Sequence, residues 1–315
     1  MASPSLLASV EVPSSSANLG SGFDCLAAAL SLKLRGELHR GDEAGILLTS
    51  HGEGAPRDDA DPERNLVIRA FRTGLRAAGG APGGSGAWRI EVSSMIPSAR
   101  GLGSSAAAIV AGLLLGATVG RRRPDPDELV ALATDLEGHP DNVSAAIFGG
   151  ITLSVTSRHQ PAVIRRFRPP DRWIPVLFIP LAESLTHEMR DLLPLTVSHA
   201  DAAAQAGRAA LLATAIVTGD ASLLRVAMDD RLHQPYRLQQ LVESARLIDI
   251  AYEHGAAGAC LSGAGPSVLA ICDSAPVAHG VEKAFNAAGI RGMATRLRFD
   301  EVGARITAGP SASEP

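Results

Sequence analysis

Apolar positions fall in blocks along the chain, and the spacing inside each block predicts its element. Residues 6–12 and 26–34 are apolar enough for strands, and the Ser- and Gly-rich segment 13–23 between them reads as a loop. Residues 45–49 form a third short strand candidate. Leu66, Ala70, Phe71 and Leu75 keep helical spacing, which predicts a helix over 65–78, whereas Trp88, Ile90 and Val92 alternate as a half-buried strand should. Small and apolar residues run from Ser104 onward and predict a helix through Val119. Another helix, over 127–137 with Asp127 near its start, is stopped by Gly138 and Pro140. Residues 141–148 read as a short helix closed by Gly149 and Gly150, and 151–155 as a strand.

The polar, proline-rich stretch 157–172 is the expected boundary between two lobes. Beyond it the pattern gives a strand over 173–179, mostly helical sequence from 184 to 253, and then strand, glycine turn, strand, helix, strand between 257 and 299. Such an order belongs to the α+β class. The expected domains are therefore 1–156 and 157–303, with 304–315 left as a disordered tail.

Composition excludes several classes of function. At 315 residues the chain has the length of roughly two domains of about 150 residues. Its net charge of −4 is spread evenly, so neither a nucleic acid nor an anionic membrane is an expected partner. The one basic run, Arg121 to Arg123, reads as a solvated loop near a helix end. Three cysteines, Cys25, Cys260 and Cys272, are an odd number without Cys-x-x-Cys spacing, which argues against a disulfide framework and against a zinc site. The N-terminus has no signal-peptide pattern and no apolar run reaches the ~18 residues of a membrane span, so a soluble, cytoplasmic protein is expected.

Candidate chemistry concentrates in one central segment: Ile96, Pro97, Ser98, Ala99, Arg100, Gly101, Leu102, Gly103, Ser104, Ser105 and Ala106. Glycines at 101 and 103 permit positive φ and close approach of a ligand, and Ser104 and Ser105 open a helix whose first N–H groups are unpaired and whose dipole end is positive. A triphosphate fits such a cradle; an ordinary N-capped buried helix fits the same residues equally well. The segment is no P-loop, because the only lysines, Lys33 and Lys283, lie elsewhere. It is no dinucleotide fingerprint either, lacking the third glycine and the acidic residue about 20 positions on. Residues 261–269 place two glycines and a proline between apolar strands, which as structure is a tight hairpin-like turn.

Taken in order, Ser16-Ala-Asn-Leu-Gly-Ser-Gly-Phe-Asp24, Pro97-x-x-x-Gly-Leu-Gly-Ser-Ser-Ala-Ala107 and Leu261-Ser-Gly-Ala-Gly-Pro-Ser267 resemble the three motifs of the GHMP small-molecule kinases. Within that superfamily, the first motif together with Leu136-Glu-Gly-His-Pro-Asp-Asn-Val143 and His233-Gln-Pro-Tyr-Arg237 is similar to the homoserine kinases, a likeness running from about residue 10 to residue 299. It implies an N-terminal lobe like ribosomal protein S5 domain 2, a ferredoxin-like C-terminal lobe, and ATP-dependent phosphorylation of L-homoserine to O-phospho-L-homoserine for threonine biosynthesis. Mg²⁺ with the nucleotide, and a homodimer, are further family expectations.

By the same resemblance, residues 96–106 wrap the triphosphate, while Ser104 or Ser105 and Glu137 ligate Mg²⁺. Asn18, Asp24, His139 and Asn142 serve the substrate ammonium and hydroxyl. Arg190 and Arg237 fork onto the carboxylate, with Thr186 one helical turn before Arg190, and the backbone at Gly263 and Gly265 closes over the substrate. Asn142 stands where several GHMP kinases carry an aspartate base, so no strong general base is expected; Asn142 and Asp24 orient the hydroxyl, with Arg190 beside them, and Asp141 and His139 remain candidate bases. Plainer explanations exist for single residues: Glu137 as a solvated charge at a helix end, each arginine as a surface ion-pair partner, Asp141 as a structural group. Two departures are visible, Ser98-Ala99 ahead of the Gly-Leu-Gly core and Gln205 where an asparagine is expected. The rival readings are a GHMP kinase for another alcohol, such as mevalonate or a sugar, and a non-catalytic binding module on the same fold.

Overall fold

The computed structural model describes residues 5–53, 64–80, 86–156 and 162–309. Strands β1 (Leu6–Ala17), β2 (Leu26–Arg40) and β3 (Gly45–Gly52) lead into helix α1 (Leu66–Ala77), whose first N–H groups are capped by the Asn65 side chain. Then follow β4 (Ala87–Ser94), α2 (Ser104–Thr118), α3 (Pro126–Glu137), α4 (Asp141–Phe148), β5 (Ile151–Val155) and β6 (Val163–Phe167). The remainder is β7 (Ile174–Pro180), α5 (Thr186–Asp191), α6 (His199–Thr218), α7 (Leu224–Ala227), α8 (Gln234–Arg237), α9 (Val242–Glu253), β8 (Gly258–Leu261), β9 (Val268–Cys272), α10 (Ala275–Ala287), β10 (Gly292–Arg296) and β11 (Arg305–Ala308).

Two sheets organise these elements. The first has the order β11-β1-β2-β4-β3, with β5 paired to β2 and β6 to β5. Its β3 and β4 run parallel, so the connection between them must cross over, and α1 is that crossover. The second sheet is antiparallel in the order β10-β7-β9-β8, the arrangement of a ferredoxin-like layer backed by α9 and α10. Phe178 and Phe285 meet edge to face inside it, centroids 5.9 Å apart.

Helix α2 positions the site. Eleven of its 15 residues are buried, because it packs against α1, α3, α4 and the first sheet at once. A helix apolar all round belongs inside a domain, and burial of Ile109, Val110, Leu113 and Leu115 contributes about 1.5–3 kcal/mol each. Its N-terminus is therefore a rigid point.

Three expectations are corrected. Residues 13–17, read as loop, continue β1: Ser14, Ser15, Ser16 and Ala17 pair with Leu30, Ala29, Ala28 and Ala27 past a bulge, and all are buried. Serine looks like a turn former in sequence, but here ladder pairing satisfies the backbone and the hydroxyls find partners, as Ser14 does on Leu30 O at 3.3 Å. The expected inter-lobe stretch holds β6, which extends the first sheet rather than leaving it; residues 157–161 of that stretch lie outside the described residues. Finally, the tail expected to be disordered supplies β11, whose residues 305–308 pair with 8–11 of β1 and give that strand its outer neighbour; residues 310–315 lie outside the described residues. Among the described residues no helix is long and apolar enough to cross a membrane.

Candidate active site

The loop before α2, expected to cradle phosphate, turns by means of Ala99, Gly101 and Gly103, at φ of 54°, 71° and 67°. Gly103 caps α2 in the left-handed conformation and has no side chain to offer, so no side-chain cap satisfies the first-turn N–H groups of α2. Both glycines are also sterically obligatory: a Cβ would lie 2.0 Å from Ser262 O at Gly101 and 2.0 Å from Ser15 Oγ at Gly103. The serines of the segment are thus inside the helix rather than capping it.

Across the loop, Ser105 Oγ donates to Glu137 Oε1 at 2.6 Å. Glu137 is the last residue of α3; burial raises its carboxyl above the usual carboxylate range, and the bond from Ser105 opposes that only in part. The half-buried carboxylate beside the hydroxyl forms a hard-oxygen pair. Two residues on, His139 Nδ1 meets Asp141 Oδ1 at 2.6 Å, and the same oxygen accepts the Asn142 backbone N–H at 2.7 Å. Burial works to lower the His139 imidazole, but the Asp141 carboxylate outweighs it and holds it above the usual histidine value. Asp141, 2% exposed, is committed to these bonds and acts as an orienting group. Asn142 sits in the first turn of α4, its Oδ1 accepting from Ser15 Oγ at 2.8 Å.

The opposite wall is residues 18–24, held in an uncommon backbone path with positive φ at Asn18, Leu19, Gly20 and Asp24. Asn18 braces it from within, Oδ1 accepting from Asp24 N at 3.0 Å and Nδ2 donating to Gly263 O at 2.8 Å. Asp24 takes both guanidinium arms of Arg190, at 2.8 and 2.9 Å. Arg190 and Arg237 flank the Phe23 ring, their guanidinium carbons 5.6 and 5.5 Å from its centroid. Arg237 is only 1% exposed; burial and then the charge of Arg190 push it down to about 10. It is held by Met189 O at 3.2 Å and by His233 Nδ1 at 3.1 Å. That acceptor role makes His233 neutral, with Nε2 donating to Gly20 O at 3.0 Å. Asp230 anchors the segment by accepting from the backbone N–H groups of Leu232, His233 and Gln234.

These walls border one open cleft. From the sequence reading it brings together Asn18, Asp24, Ala99, Gly101, Leu102, Gly103, Ser104, Ser105, Glu137, His139, Asn142, Thr186, Arg190, Arg237 and Gly263. Ile96, Pro97, Ser98, Arg100, Ala106 and Gly265 do not line it. Ile96 and Ala106 are fully buried in the first core. Arg100 points the other way, donating to Pro180 O at 2.9 Å and Leu181 O at 2.8 Å, so it fastens the loop to the second sheet. Ala264 lines the cleft where Gly265 was expected. Arg237 is buried and so is no surface ion-pair partner, whereas Arg190 is exposed and does pair with Asp24; Glu137 is no fully solvated charge.

Sequence reasoning missed Ser15, Ser262, Phe23, Asp230 and Gln205 as parts of this architecture. Ser262 Oγ donates to Gly101 O at 2.7 Å, tying the β8–β9 turn to the phosphate loop. Gln205, set aside as a departure, is buried and bridges Ser21 O and Asp230 Oδ1 at 2.7 and 2.9 Å. The polar run Ser14 to Ser16, directly before the first motif, was the available signal for Ser15.

A glycine-turned helix N-terminus facing a cleft at the junction of two sheets defines a class, and sequence families agree. The GHMP kinases N terminal domain matches residues 65–150 and the GHMP kinases C terminal domain matches residues 212–291, so the chain has the GHMP kinase fold and is an ATP-dependent small-molecule kinase. A homoserine kinase of Streptomyces coelicolor is 42% identical, covering 100% of both chains. Among solved structures, homoserine kinase from Cytophaga hutchinsonii superposes with a TM-score of 0.85 at 26% identity, over 98% of each chain. The fold alone extends to L. major mevalonate kinase, at a TM-score of 0.65 and 16% identity over 98% of this chain and 97% of that one. The chain belongs to the homoserine kinase family.

Proposed function

We propose that this protein transfers the γ-phosphoryl group of ATP to the side-chain hydroxyl of L-homoserine, giving ADP and O-phospho-L-homoserine, a step of threonine biosynthesis. The observation that carries this reading is the convergence of Arg190 and Arg237 on Phe23, in the cleft that also holds the phosphate loop. Arg237, pushed down by burial and by the charge of Arg190, gains from an anion beside it, and a planar carboxylate matches forked guanidinium donors. An amino acid supplies that carboxylate, and its ammonium finds Asp24 beside it. Galactose has no such group. The intact oxygen pair Ser105–Glu137 and the uncapped α2 N-terminus speak against a non-catalytic module.

In this reading the N–H groups opening α2 receive phosphate oxygens, and the backbone of residues 99–103 wraps them. Glu137 with Ser105, or with Ser104 beside it, suits Mg²⁺, which takes hard oxygen donors and few protein ligands; when bound it would neutralise charge on the phosphate oxygens. Phosphoryl transfer asks mainly for positioning and charge neutralisation. The acceptor oxygen bonds to the γ-phosphorus as the bond to the ADP oxygen breaks, and the hydroxyl proton passes to the transferred phosphoryl group. No strong base is required of the chain. His139, held above its usual value by Asp141, serves better as a cationic donor to developing negative charge than as a proton acceptor.

Purified protein with Mg²⁺ and ATP, offered L-homoserine, tests this by ADP release. Selective turnover of homoserine is expected; turnover of another alcohol alone, or none with ATP bound, overturns it.

A further inference from the structure

Ser15 is fully buried in β1, yet it touches both halves of the site. Its backbone N–H donates to Leu102 O in the phosphate loop at 3.1 Å. Its hydroxyl donates to Asn142 Oδ1 at 2.8 Å, across 127 residues of sequence. A Cβ at Gly103 would lie 2.0 Å from Ser15 Oγ and 3.2 Å from Asn142 Oδ1, so the three residues are packed with no spare atom between them.

An amide accepts at oxygen and donates at nitrogen, and the two groups point apart. With Oδ1 turned to Ser15, the Asn142 NH₂ is presented on its other side, where no protein acceptor meets it among the described residues; Asn142 lines the cleft. A donor approaches the oxygen of an acceptor hydroxyl, leaving its proton untouched.

We propose that Ser15 is a positioning residue of the phosphoryl transfer: its hydroxyl fixes the Asn142 amide with NH₂ toward the oxygen of the acceptor hydroxyl, while its main chain holds the phosphate loop in register with that amide. The inference rests on the reading of the chain as a kinase acting on the homoserine hydroxyl. It explains why position 142 is occupied by an amide with a locked orientation, and why position 103 admits no side chain. Ser15 does not line the cleft; it acts through Asn142.

The test is a double-mutant cycle of Ser15→Ala and Asn142→Ala, with homoserine turnover and ATP affinity both measured. Freed of its partner the amide rotates, and kcat in Ser15→Ala falls about 10- to 100-fold, the scale of a misplaced reacting group, while ATP affinity stays within about twofold of wild type. In the Asn142→Ala background, Ser15→Ala causes no further loss of kcat. Wild-type kcat in Ser15→Ala, losses that multiply in the double variant, or a kcat loss matched by weaker ATP binding would each overturn the proposal. Ser15→Cys keeps the volume with a weak donor and gives an intermediate kcat; it carries the test should the alanine variant not fold, and wild-type kcat there also overturns it. Wild-type protein inactive on homoserine would instead strike the underlying reading, so the two failures are distinct.

Discussion

Arg190 and Asp24 face each other as a two-point ion pair, Nη1 to Oδ2 at 2.9 Å and Nη2 to Oδ1 at 2.8 Å, although 166 residues separate them in sequence. The pair spans the cleft from α5 to the loop after β1. Its side chains are 44% and 36% exposed, so as a stabilising contact it is worth at most about 1 kcal/mol. Its place beside Phe23 and Arg237 gives it another use. In the proposed reading it holds both charges ready for the opposite charges of an amino acid.

Arg190→Ala is therefore expected to change thermal stability little while raising the homoserine KM by about 10- to 100-fold, the loss of a charged two-point hydrogen bond. Arg190→Lys should recover only a small part, because an ammonium cannot reproduce the fork. Steady-state kinetics at fixed ATP decide it; an unchanged homoserine KM in Arg190→Ala removes Arg190 from the substrate site.

Burial in the interior pushes His233 down to about 4 from the ordinary 6.5, with the Arg237 charge adding to it and Asp230 opposing. The unfolded chain then takes up a proton at a higher pH than the folded one, so stability is lost as pH falls from 6.5 toward about 4. Protonation would also cost Arg237 its acceptor at His233 Nδ1. Denaturation midpoints measured across that window should fall steeply in wild type and less steeply in His233→Gln. Parallel pH profiles for the two proteins would contradict this assignment.

Glu137 shifts the opposite way. Its folded-state carboxyl is raised by burial, so its contribution to stability is present below the unfolded glutamate value and is lost as pH rises through the folded one. A divalent cation held by the carboxylate requires the ionised form, so Mg²⁺-dependent nucleotide binding should tighten with rising pH over the same range. Glu137→Gln is expected to flatten both trends and to weaken the Mg²⁺-dependent part of ATP binding about tenfold or more. Titration calorimetry with and without Mg²⁺ measures this, and an unaltered Mg²⁺ dependence in the variant excludes Glu137 as a ligand.

At Gly103 conformation and space coincide: φ is 67° and a Cβ would strike Ser15 Oγ. Gly103→Ala should destabilise by about 1–3 kcal/mol and remove most turnover, since either the loop or Ser15 must move. Gly289, at φ 74° with nothing within 4 Å of an added Cβ, is the control. Gly289→Ala should cost about 1 kcal/mol through backbone strain and leave kcat intact. Equal kinetic effects in the two variants would mean that the loss at 103 is global.

Where a residue's neighbours in sequence decide its structure, the sequence was readable. Asn65 before Leu66, the all-apolar α2 after Gly103, and Gly138 after Glu137 mark helix ends by local rules, and they mark them correctly. Strand residues 13–17 and 305–308 were not readable, because partners far along the chain, β2 for one and β1 for the other, give them their pairing. The site divides in the same way. Glycine spacing pointed to the loop before α2, and the resemblance pointed to Glu137, Asn142 and the two arginines, which share one cleft with it. The contacts that orient them, Ser15 on Asn142, Phe23 between the arginines, Asp230 and Gln205 behind His233, depend on crossings that no local pattern encodes. Arg100 misled for a related reason: beside a phosphate loop an arginine suggests an anion, but its carbonyl acceptors lie at the end of β7.

The most direct measurement of the central claim is ADP release by the purified protein with ATP and Mg²⁺, comparing L-homoserine with L-serine, L-threonine, mevalonate and galactose in one coupled assay. Selective turnover of homoserine, lost in Arg190→Ala and Arg237→Ala, is the predicted result. Equal or better turnover of mevalonate or galactose, or homoserine turnover indifferent to both arginine variants, would contradict the account.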